Sequence, residues 1–350
     1  MTKTCIGCGA VLQSSDPHSA GYTPKEGSDY CQRCFRLIHY DDLTVSMKTG
    51  IDPDLIFEEI ARTDGILLYV ADLFDFEACL IPGLTRKAGN RDIVLVCTKR
   101  DLLPDTVSHD KIAQFVFGRL KEYGISIREL VLVSSKDGEG IDEVKAAVSK
   151  YADHRPVIVM GRANSGKSTL LNALLGKKVL TSSRYPGTTL GFNELEAGGI
   201  RYIDTPGIEM SRSMIMAVKE EDLKVIMPVR TIKPKVYQIH EDQSFSIGGM
   251  ARVDVSCPTS GTVAWYLSDQ VYLHRSKKRS ADELWEKQYG KLLVPTVVKN
   301  DFTYVTHRKK EEKIDVAIDG LGWCCISGDI TDIGVKIPKD VSVTFRKAML

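Results

Sequence analysis

The segment Gly161-Arg162-Ala163-Asn164-Ser165-Gly166-Lys167-Ser168 constrains this chain more than any other. It follows the apolar run Val157 to Met160 and leads into Thr169-Leu170-Leu171-Asn172-Ala173-Leu174-Leu175, an apolar-rich helix start. G-x4-G-K-[ST] between a strand and a helix is a phosphate-wrapping loop. Its glycines let backbone N–H groups close round an anion, and the helix N-terminus adds the positive end of its dipole. Lys167 is placed to neutralise β- and γ-phosphates, and the Ser168 hydroxyl to ligate Mg²⁺. Gly161, Asn164, Ser165, Gly166 and Thr169 belong to the same nucleotide-binding segment.

Around this loop the pattern alternates between apolar strands and amphipathic helices. Buried strands are predicted at 66–70, 93–97, 130–133, 157–160 and 200–203, with helices at 110–122 and 141–151. Nearly continuous apolar strands separated by helices point to a mostly parallel sheet covered on both faces. After about residue 215 short β-rich segments take over, at 236–239, 244–247, 253–255, 262–267, 270–273, 303–306 and 341–345, with a helix near 281–289. The expected organisation is a module over 1–48, an α/β nucleotide-binding domain over 55–215 and a β-rich domain over 216–350.

The first module rests on cysteine. Four of the nine cysteines stand as Cys5-x2-Cys8 and Cys31-x2-Cys34, while Cys79, Cys97, Cys257, Cys324 and Cys325 are scattered and read as small core residues. Two C-x2-C pairs separated by a turn-rich loop supply the four thiolates that tetrahedral zinc prefers. A segment this small has little core of its own, so metal binding would supply much of its folding free energy. The rival reading, two disulfides of a secreted module, meets an N-terminus with no apolar signal core. With four protein ligands the zinc would be structural. No run of 18 apolar residues offers a membrane span, and a cytoplasmic location is expected.

Four further segments turn a nucleotide into a guanine nucleotide. Asp204-Thr205-Pro206-Gly207 follows the strand 200–203; Asp204 can hold Mg²⁺ and the Gly207 N–H can sense the γ-phosphate. Pro186-Gly187-Thr188-Thr189 carries a switch-region threonine, Thr189, able to complete the Mg²⁺ shell. Thr98-Lys99-Arg100-Asp101 is similar to the guanine-reading Asn-Lys-x-Asp, and the Asp101 carboxylate can accept from both N1–H and N2–H₂ of guanine, a donor pair adenine lacks. Ser134-Ser135-Lys136 resembles the Ser-Ala-Lys loop whose backbone N–H meets guanine O6. Nearly all lie at strand C-terminal ends, where α/β sheets bind ligands. Lys167, Thr189, Asp204 and Gly207 are the candidate catalytic residues.

The order of these segments is permuted: the base readers at 98–101 and 134–136 precede the phosphate loop, Thr189 and Asp204. Joining the old C-terminal helix, 141–151, to the phosphate-loop strand through Asp153-His154-Arg155-Pro156 builds the same sheet. This order, the four-cysteine element ahead of it and the β-rich tail behind it, with Gly248-Gly249-Met250-Ala251-Arg252-Val253-Asp254 and Gly320-Leu321-Gly322-Trp323, resemble the YqeH family of circularly permuted ribosome-assembly GTPases. The departures are Thr98 for the usual Asn, expected to weaken the bracing of the base loop, and Ser135 for the usual Ala. The resemblance implies GTP hydrolysis and a role in maturing the small (30S) ribosomal subunit. It also implies an RNA-binding tail and a partner in the subunit precursor and its rRNA, with no DNA. It further implies that Asn164 ligates an activating K⁺.

Two consequences follow from the residues themselves. Position 208, just after Asp-Thr-Pro-Gly, is Ile, which cannot orient water by hydrogen bonding, so intrinsic hydrolysis should be slow. Permutation also makes 205–215, the part most sensitive to loss of the γ-phosphate, the covalent lead into the tail, so GTP is expected to order it and fix the tail's orientation. The whole chain carries a formal charge of +1, and residues 216–350 hold 21 Lys and Arg against 18 Asp and Glu. That excludes a bulk polycation and leaves local patches, such as Arg275, Lys277, Lys278 and Arg279, or Arg308, Lys309 and Lys310. Trp265, Tyr266, Tyr272 and Trp323 are candidates to stack on bases, although aromatics on β-segments more often fill a core. The alternative function class is a guanine-nucleotide-gated adaptor that binds protein partners through its zinc and tail modules, with hydrolysis incidental.

Overall fold

The computed structural model describes residues 3, 5, 11–16, 21–25, 27–32, 51–89, 91–134, 137–176, 183–184, 192–209 and 211–350. The first regular element is helix α1 (Pro53–Ala61), which starts where the Asp52 carboxylate accepts from the Asp54 N–H. Strand β1 (Ile66–Asp72), short helices α2 (Phe76–Cys79) and α3 (Leu84–Lys87), strand β2 (Ile93–Thr98), helix α4 (His109–Glu122) and strand β3 (Glu129–Leu132) come next. Helix α5 (Ile141–Ala152), strand β4 (Val157–Gly161), helix α6 (Lys167–Leu175) and strands β5 (Ser183–Arg184), β6 (Asn193–Ala197) and β7 (Ile200–Asp204) complete the α/β part.

The chain divides into two compact units that interleave in sequence. One comprises Met1–Ala71, Leu84–Thr98 and Ile127–Glu209; the other comprises Asp72–Gly83, Lys99–Ser126 and Met210–Leu350. The first unit is organised by a seven-stranded sheet of order β3-β2-β1-β4-β7-β6-β5. Parallel pairing joins β2 to β3, β1 to β4 and β4 to β7, and β5, β6 and β7 are antiparallel. Every residue of β1, β2 and β4 is buried, as their continuous apolar runs require. Ile141, Val144, Ala147 and Val148 of α5 and Leu170, Leu171 and Leu174 of α6 pack into the same core. Strand β4 therefore lies between β1 and β7, with the earlier β2 and β3 beyond β1, which is the sheet that the permuted order predicts.

The second unit adds helices α7 (Met214–Ala217) and α8 (Leu223–Ile226) and strands β8 (Lys235–Ile239), β9 (Gln243–Ile247), β10 (Ala251–Ser256), β11 (Gly261–Tyr266) and β12 (Leu273–Lys277). Helix α9 (Ala281–Gln288) then precedes β13 (Phe302–Arg308), β14 (Lys313–Ile318), β15 (Gly322–Gly328), β16 (Asp332–Pro338) and β17 (Val343–Lys347). These strands form two five-stranded sheets, β12-β9-β10-β16-β13 and β17-β14-β15-β11-β8, with neighbouring strands antiparallel throughout. Phe245 of one sheet meets Trp265 of the other with ring centroids 5.7 Å apart, which places the core between them. The tail is β-rich, as its sequence implies.

For three of the aromatic candidates the core reading holds, and one strand shifts. Trp265 and Trp323 are 1% exposed and Tyr266 is 9% exposed, with Tyr266 stacked on Trp323 at 4.9 Å, so these rings fill the core and are not free to stack on bases. The strand expected at 270–273 lies instead at 273–277, because Asp269-Gln270 form a turn closed by the Val271 N–H bonded to the Ser268 carbonyl.

The second unit also buries charge. Arg119 of α4 binds Glu77 of α2 through two contacts of 2.8 Å, and Arg346 of β17 reaches the same carboxylate at 3.1 Å. Arg346 also faces Asp315 of β14 at 3.5 Å and lies over the Phe115 ring. Taking such groups out of water costs several kcal/mol per ion unless each is paired. Burial pushes the Asp315 carboxyl up from its ordinary value, and the facing Arg346 opposes that shift. This cluster ties α2 and α4 to strands β14 and β17 within one unit.

Candidate functional site

Parallel pairing of β1 with β4 sets Val70 opposite Gly161, at the mouth of the phosphate loop. A Cβ on Gly161 would lie 2.6 Å from the Val70 carbonyl and 2.7 Å from Ser165 Oγ, so only glycine fits where the loop leaves the sheet. The loop then turns through left-handed Asn164 (φ 64°) and Gly166 (φ 88°). Gly166 caps α6, whose first residue is Lys167, so the free N–H groups of the helix start face the loop. Ser165 is 1% exposed, and its hydroxyl has no hydrogen-bond partner among the described residues. An orphaned buried hydroxyl within a ring of backbone donors suits an anion that brings its own acceptor oxygens.

The Asp204 segment is held beside this loop by backbone bonds. Val159 pairs with Asp204, and the Thr205 N–H and hydroxyl both donate to the Val159 carbonyl, at 3.1 and 3.0 Å. The Ile208 N–H donates to Gly161 O and the Ala163 N–H to Ile208 O, each at 3.1 Å. A Cβ at Gly207 would meet Ala163 Cα at 3.1 Å, so the two loops pack backbone to backbone. Lys167 Nζ and the Asp204 carboxylate pair with each other. Ile208 is 3% exposed; its side chain belongs to the core and orients no water. Its segment is pinned further by Ile51, whose N–H donates to Gly207 O at 2.9 Å and whose carbonyl accepts from the Glu209 N–H at 3.0 Å.

Thr98, the residue that departs from the usual Asn, is fully buried at the end of β2. Its hydroxyl donates to the Ser165 carbonyl at 2.5 Å, with the Ala71 carbonyl at 3.2 Å. The threonine thus reaches the phosphate loop with its own hydroxyl. Space for that contact comes from Gly166, where a Cβ would lie 3.1 Å from Thr98 Oγ1. Ser134 is also buried; its N–H donates to Glu139 O at 3.1 Å, and its carbonyl accepts from the Gly138 N–H at 3.0 Å. Ser135, Lys136 and Thr189 lie outside the described residues.

In the other unit, Lys99 takes a left-handed conformation (φ 60°) and pairs with Asp72 at 2.5 Å, opening a 3-10 turn over Arg100–Leu102. Arg100 is spent on structure, donating to Leu103 O at 3.2 Å and Val107 O at 2.6 Å. The half-buried Asp101 has its backbone held by the Thr231 hydroxyl, at 2.9 Å, and the Ile232 N–H holds Leu102 O at 2.9 Å. Neither bracing residue carries a sequence signal, because both lie about 130 residues downstream.

Of the four paired cysteines, Cys5 and Cys31 are described. One comes from each C-x2-C pair, both are 2% exposed, and the Cys31 N–H donates to Cys5 Sγ at 3.1 Å. Cys8 and Cys34 lie outside the described residues, and among the described residues no group of three or more His, Cys, Asp or Glu converges. Also among them, no helix is long and apolar enough to cross a membrane.

Comparison with known proteins places this geometry among relatives. Residues 156–248 match the family model described as 50S ribosome-binding GTPase, and residues 260–349 match the one described as YqeH-like, C-terminal. The protein YqeH of Bacillus subtilis is 33% identical over 99% of both chains. NO-associated protein 1, chloroplastic/mitochondrial, of Arabidopsis thaliana is 26% identical over 99% of this chain and 76% of its own length. The small ribosomal subunit biogenesis GTPase RsgA of Streptomyces avermitilis is 35% identical over 33% of this chain and 31% of its own.

The Thr98 contact gives a direct test of the loop's bracing. Thr98→Val keeps the shape and leaves the Ser165 carbonyl unbonded, a loss of about 1–2 kcal/mol. GDP affinity, followed by titration with a fluorescent GDP analogue, is expected to fall about tenfold, and Thr98→Ser to restore most of it.

Proposed function

Because the chain belongs to the YqeH family of circularly permuted GTPases, we propose that it acts in assembly of the small (30S) ribosomal subunit, with GTP binding and hydrolysis setting the orientation of an RNA-binding C-terminal domain. The observation that carries the reading is the phosphate loop: a glycine-shaped turn from β4 into α6, with Lys167 and Asp204 brought together at its mouth. Support for the small subunit comes from the likeness to a relative described as a small ribosomal subunit biogenesis GTPase.

In this reading the backbone N–H groups of 161–168 and the Lys167 ammonium hold the β- and γ-phosphates. Lys167, now paired with Asp204, exchanges that carboxylate for phosphate oxygens. Ser168, Asp204 and Thr189 would hold Mg²⁺, which when bound neutralises charge on the β- and γ-oxygens. Asn164 would hold K⁺, so turnover in potassium salts exceeds that in sodium salts. Asp101 accepts from guanine N1–H and N2–H₂, Lys99 lines the base, and a backbone N–H of Ser134-Ser135-Lys136 meets O6. Gly207 reports the γ-phosphate into 205–215. With Ile208 in the core, no side chain at that position orients water, and intrinsic hydrolysis is slow. Cys5, Cys8, Cys31 and Cys34 would hold one structural zinc.

Base specificity is tested at Asp101. Asp101→Asn replaces an acceptor by a donor, which suits the C2 oxygen of xanthine and not the C2 amine of guanine. Hydrolysis of GTP is expected to fall at least a hundredfold, about 2.7 kcal/mol at 1.36 per decade, while XTP becomes a substrate; unchanged GTP turnover would remove the assignment.

Cellular function is tested by zonal sedimentation of lysates with GDP or a non-hydrolysable GTP analogue. Nucleotide-dependent comigration with free 30S particles is the expected outcome. Comigration with 50S particles would reassign the subunit, and migration with neither would favour the protein-binding adaptor.

A further inference from the structure

The C-terminal β-rich part carries a concavity of about 520 Å³ that no step above uses. It opens on the face of the β12-β9-β10-β16-β13 sheet opposite to the one that fills the core. Val253 and Val255 point into the sandwich, so the alternate residues Arg252 and Asp254 point out of it. Helix α9 covers part of this face, with Trp285 packed edge-on against Phe302 at 5.4 Å.

Strand register puts three of the lining side chains in one row. Arg252 of β10 pairs with Lys336 of β16, and Lys336 pairs with Tyr304 of β13. Like charges directly opposite each other destabilise a sheet, so an Arg–Lys pair here needs anionic groups nearby. Arg252 is 4% exposed and is matched by Asp254 at 2.9 Å and Asp282 at 2.8 Å. Among the described residues its Nε has no hydrogen-bond partner, nor has Asp254 Oδ1. Among the described residues no carboxylate forms an ion pair with Lys336 or Lys278: Lys336 Nζ lies over the Trp285 ring at 5.1 Å, and Lys278 donates to Ser256 Oγ at 2.6 Å. Burial, and then the adjacent Arg252, hold the Lys336 ammonium below its ordinary pKa. Asp282, Asp254 and Glu286 attract the Lys336 ammonium from a distance, but among the described residues neither ammonium at this opening has a carboxylate in direct contact.

The rest of the wall is also organised. Gly334, paired with Asp254, is the one residue that lets Tyr304 cross the strand: a Cβ there would lie 1.9 Å from the Tyr304 hydroxyl. That hydroxyl donates to Asp254 Oδ2 at 2.8 Å, which fixes the ring, and 47% of the residue stays exposed. Strand β13 ends its sheet, so the opening is reachable from the side. Ammonium groups with no carboxylate in contact can take an anionic group, and a fixed, exposed aromatic ring beside them offers a flat apolar surface.

We propose that this concavity binds a nucleotide, with its phosphate taken by Lys278 and Lys336 above the buried Arg252 and its base laid against Tyr304. A free mononucleotide and a nucleotide within single-stranded RNA offer the same chemistry. In its RNA form the proposal rests on the RNA-contact part of the function proposed above, and it is independent of the guanine site.

The test is fluorescence anisotropy of a short labelled oligouridylate with the full chain, over a series of salt concentrations, with UMP as competitor. Wild type is compared with Lys336→Gln and Lys278→Gln, each checked for unchanged unfolding temperature and GTP hydrolysis. Each variant is expected to bind about tenfold more weakly and to lower the salt slope by about 0.7. Lys278 is partly exposed and bonds only Ser256, so its variant remains informative if Lys336→Gln fails to fold. Competition by UMP as effective per mole as by unlabelled oligouridylate supports a free-nucleotide ligand; much weaker competition supports RNA. Wild-type affinity in the folded variants, or no binding of either probe by wild type, overturns the proposal. Sedimentation with 30S particles judges the assembly reading separately, since other surfaces can contact the subunit.

Discussion

The contact between the ends of β1 and β4 is the constraint on which the first unit depends. At Val70 and Gly161 the two strands approach so closely that a single methyl group would collide with a backbone carbonyl. The closeness sends the chain sharply out of the sheet, through two left-handed residues, into the start of α6. Everything placed near the phosphates inherits its position from that turn. Ser165 is buried because the loop folds back on Gly161, and Thr98 can reach the Ser165 carbonyl because Gly166 leaves room. The Asp204 segment is pinned to the same loop through Ala163, Gly161 and Ile208. Removing a hydrogen bond or a glycine here alters several groups at once, which is how a site holding a highly charged ligand keeps its donors in place.

Permutation leaves this geometry intact because the sheet depends on neighbours in space. The strand order β3-β2-β1-β4-β7 needs β4 between β1 and β7, and the chain supplies that order whichever loop is cut. The cut alters what the loops are joined to. The Lys99–Leu102 turn and helices α2 and α4 fall in one compact unit with the β-rich strands. Within that unit the Glu77, Arg119, Arg346 and Asp315 cluster makes α2, α4, β14 and β17 interdependent. Breaking one buried ion pair leaves its partner charge stranded, so these elements gain or lose stability together.

Much of this was legible in the sequence, for physical reasons that differ by element. Strands β1, β2 and β4 are buried on both faces, and their unbroken apolar runs announce it. The phosphate loop shows itself because its chemistry lies in eight consecutive residues. Strands β14, β15 and β16 were not legible. Asp315, Gly322, Gly328 and Gly334 interrupt the alternation, and each is explained only by a distant neighbour: Arg346, Tyr266, Gly261 and Tyr304. The role of Thr98 was hidden likewise, since its acceptor lies 67 residues away. Core aromatics were ambiguous for the opposite reason: Trp265 and Trp323 sit on strands whose two faces the sequence alone could not assign.

We propose that nucleotide state passes from the phosphate loop into the β-rich domain through the segment that follows Gly207. Hydrogen exchange of the full chain, compared between GDP and a non-hydrolysable GTP analogue, tests it most directly. Added protection in 205–215 with the analogue, accompanied by altered exchange in the strands after residue 235, is the expected result. Identical exchange in both regions for the two nucleotides, with both shown to be bound, would contradict it.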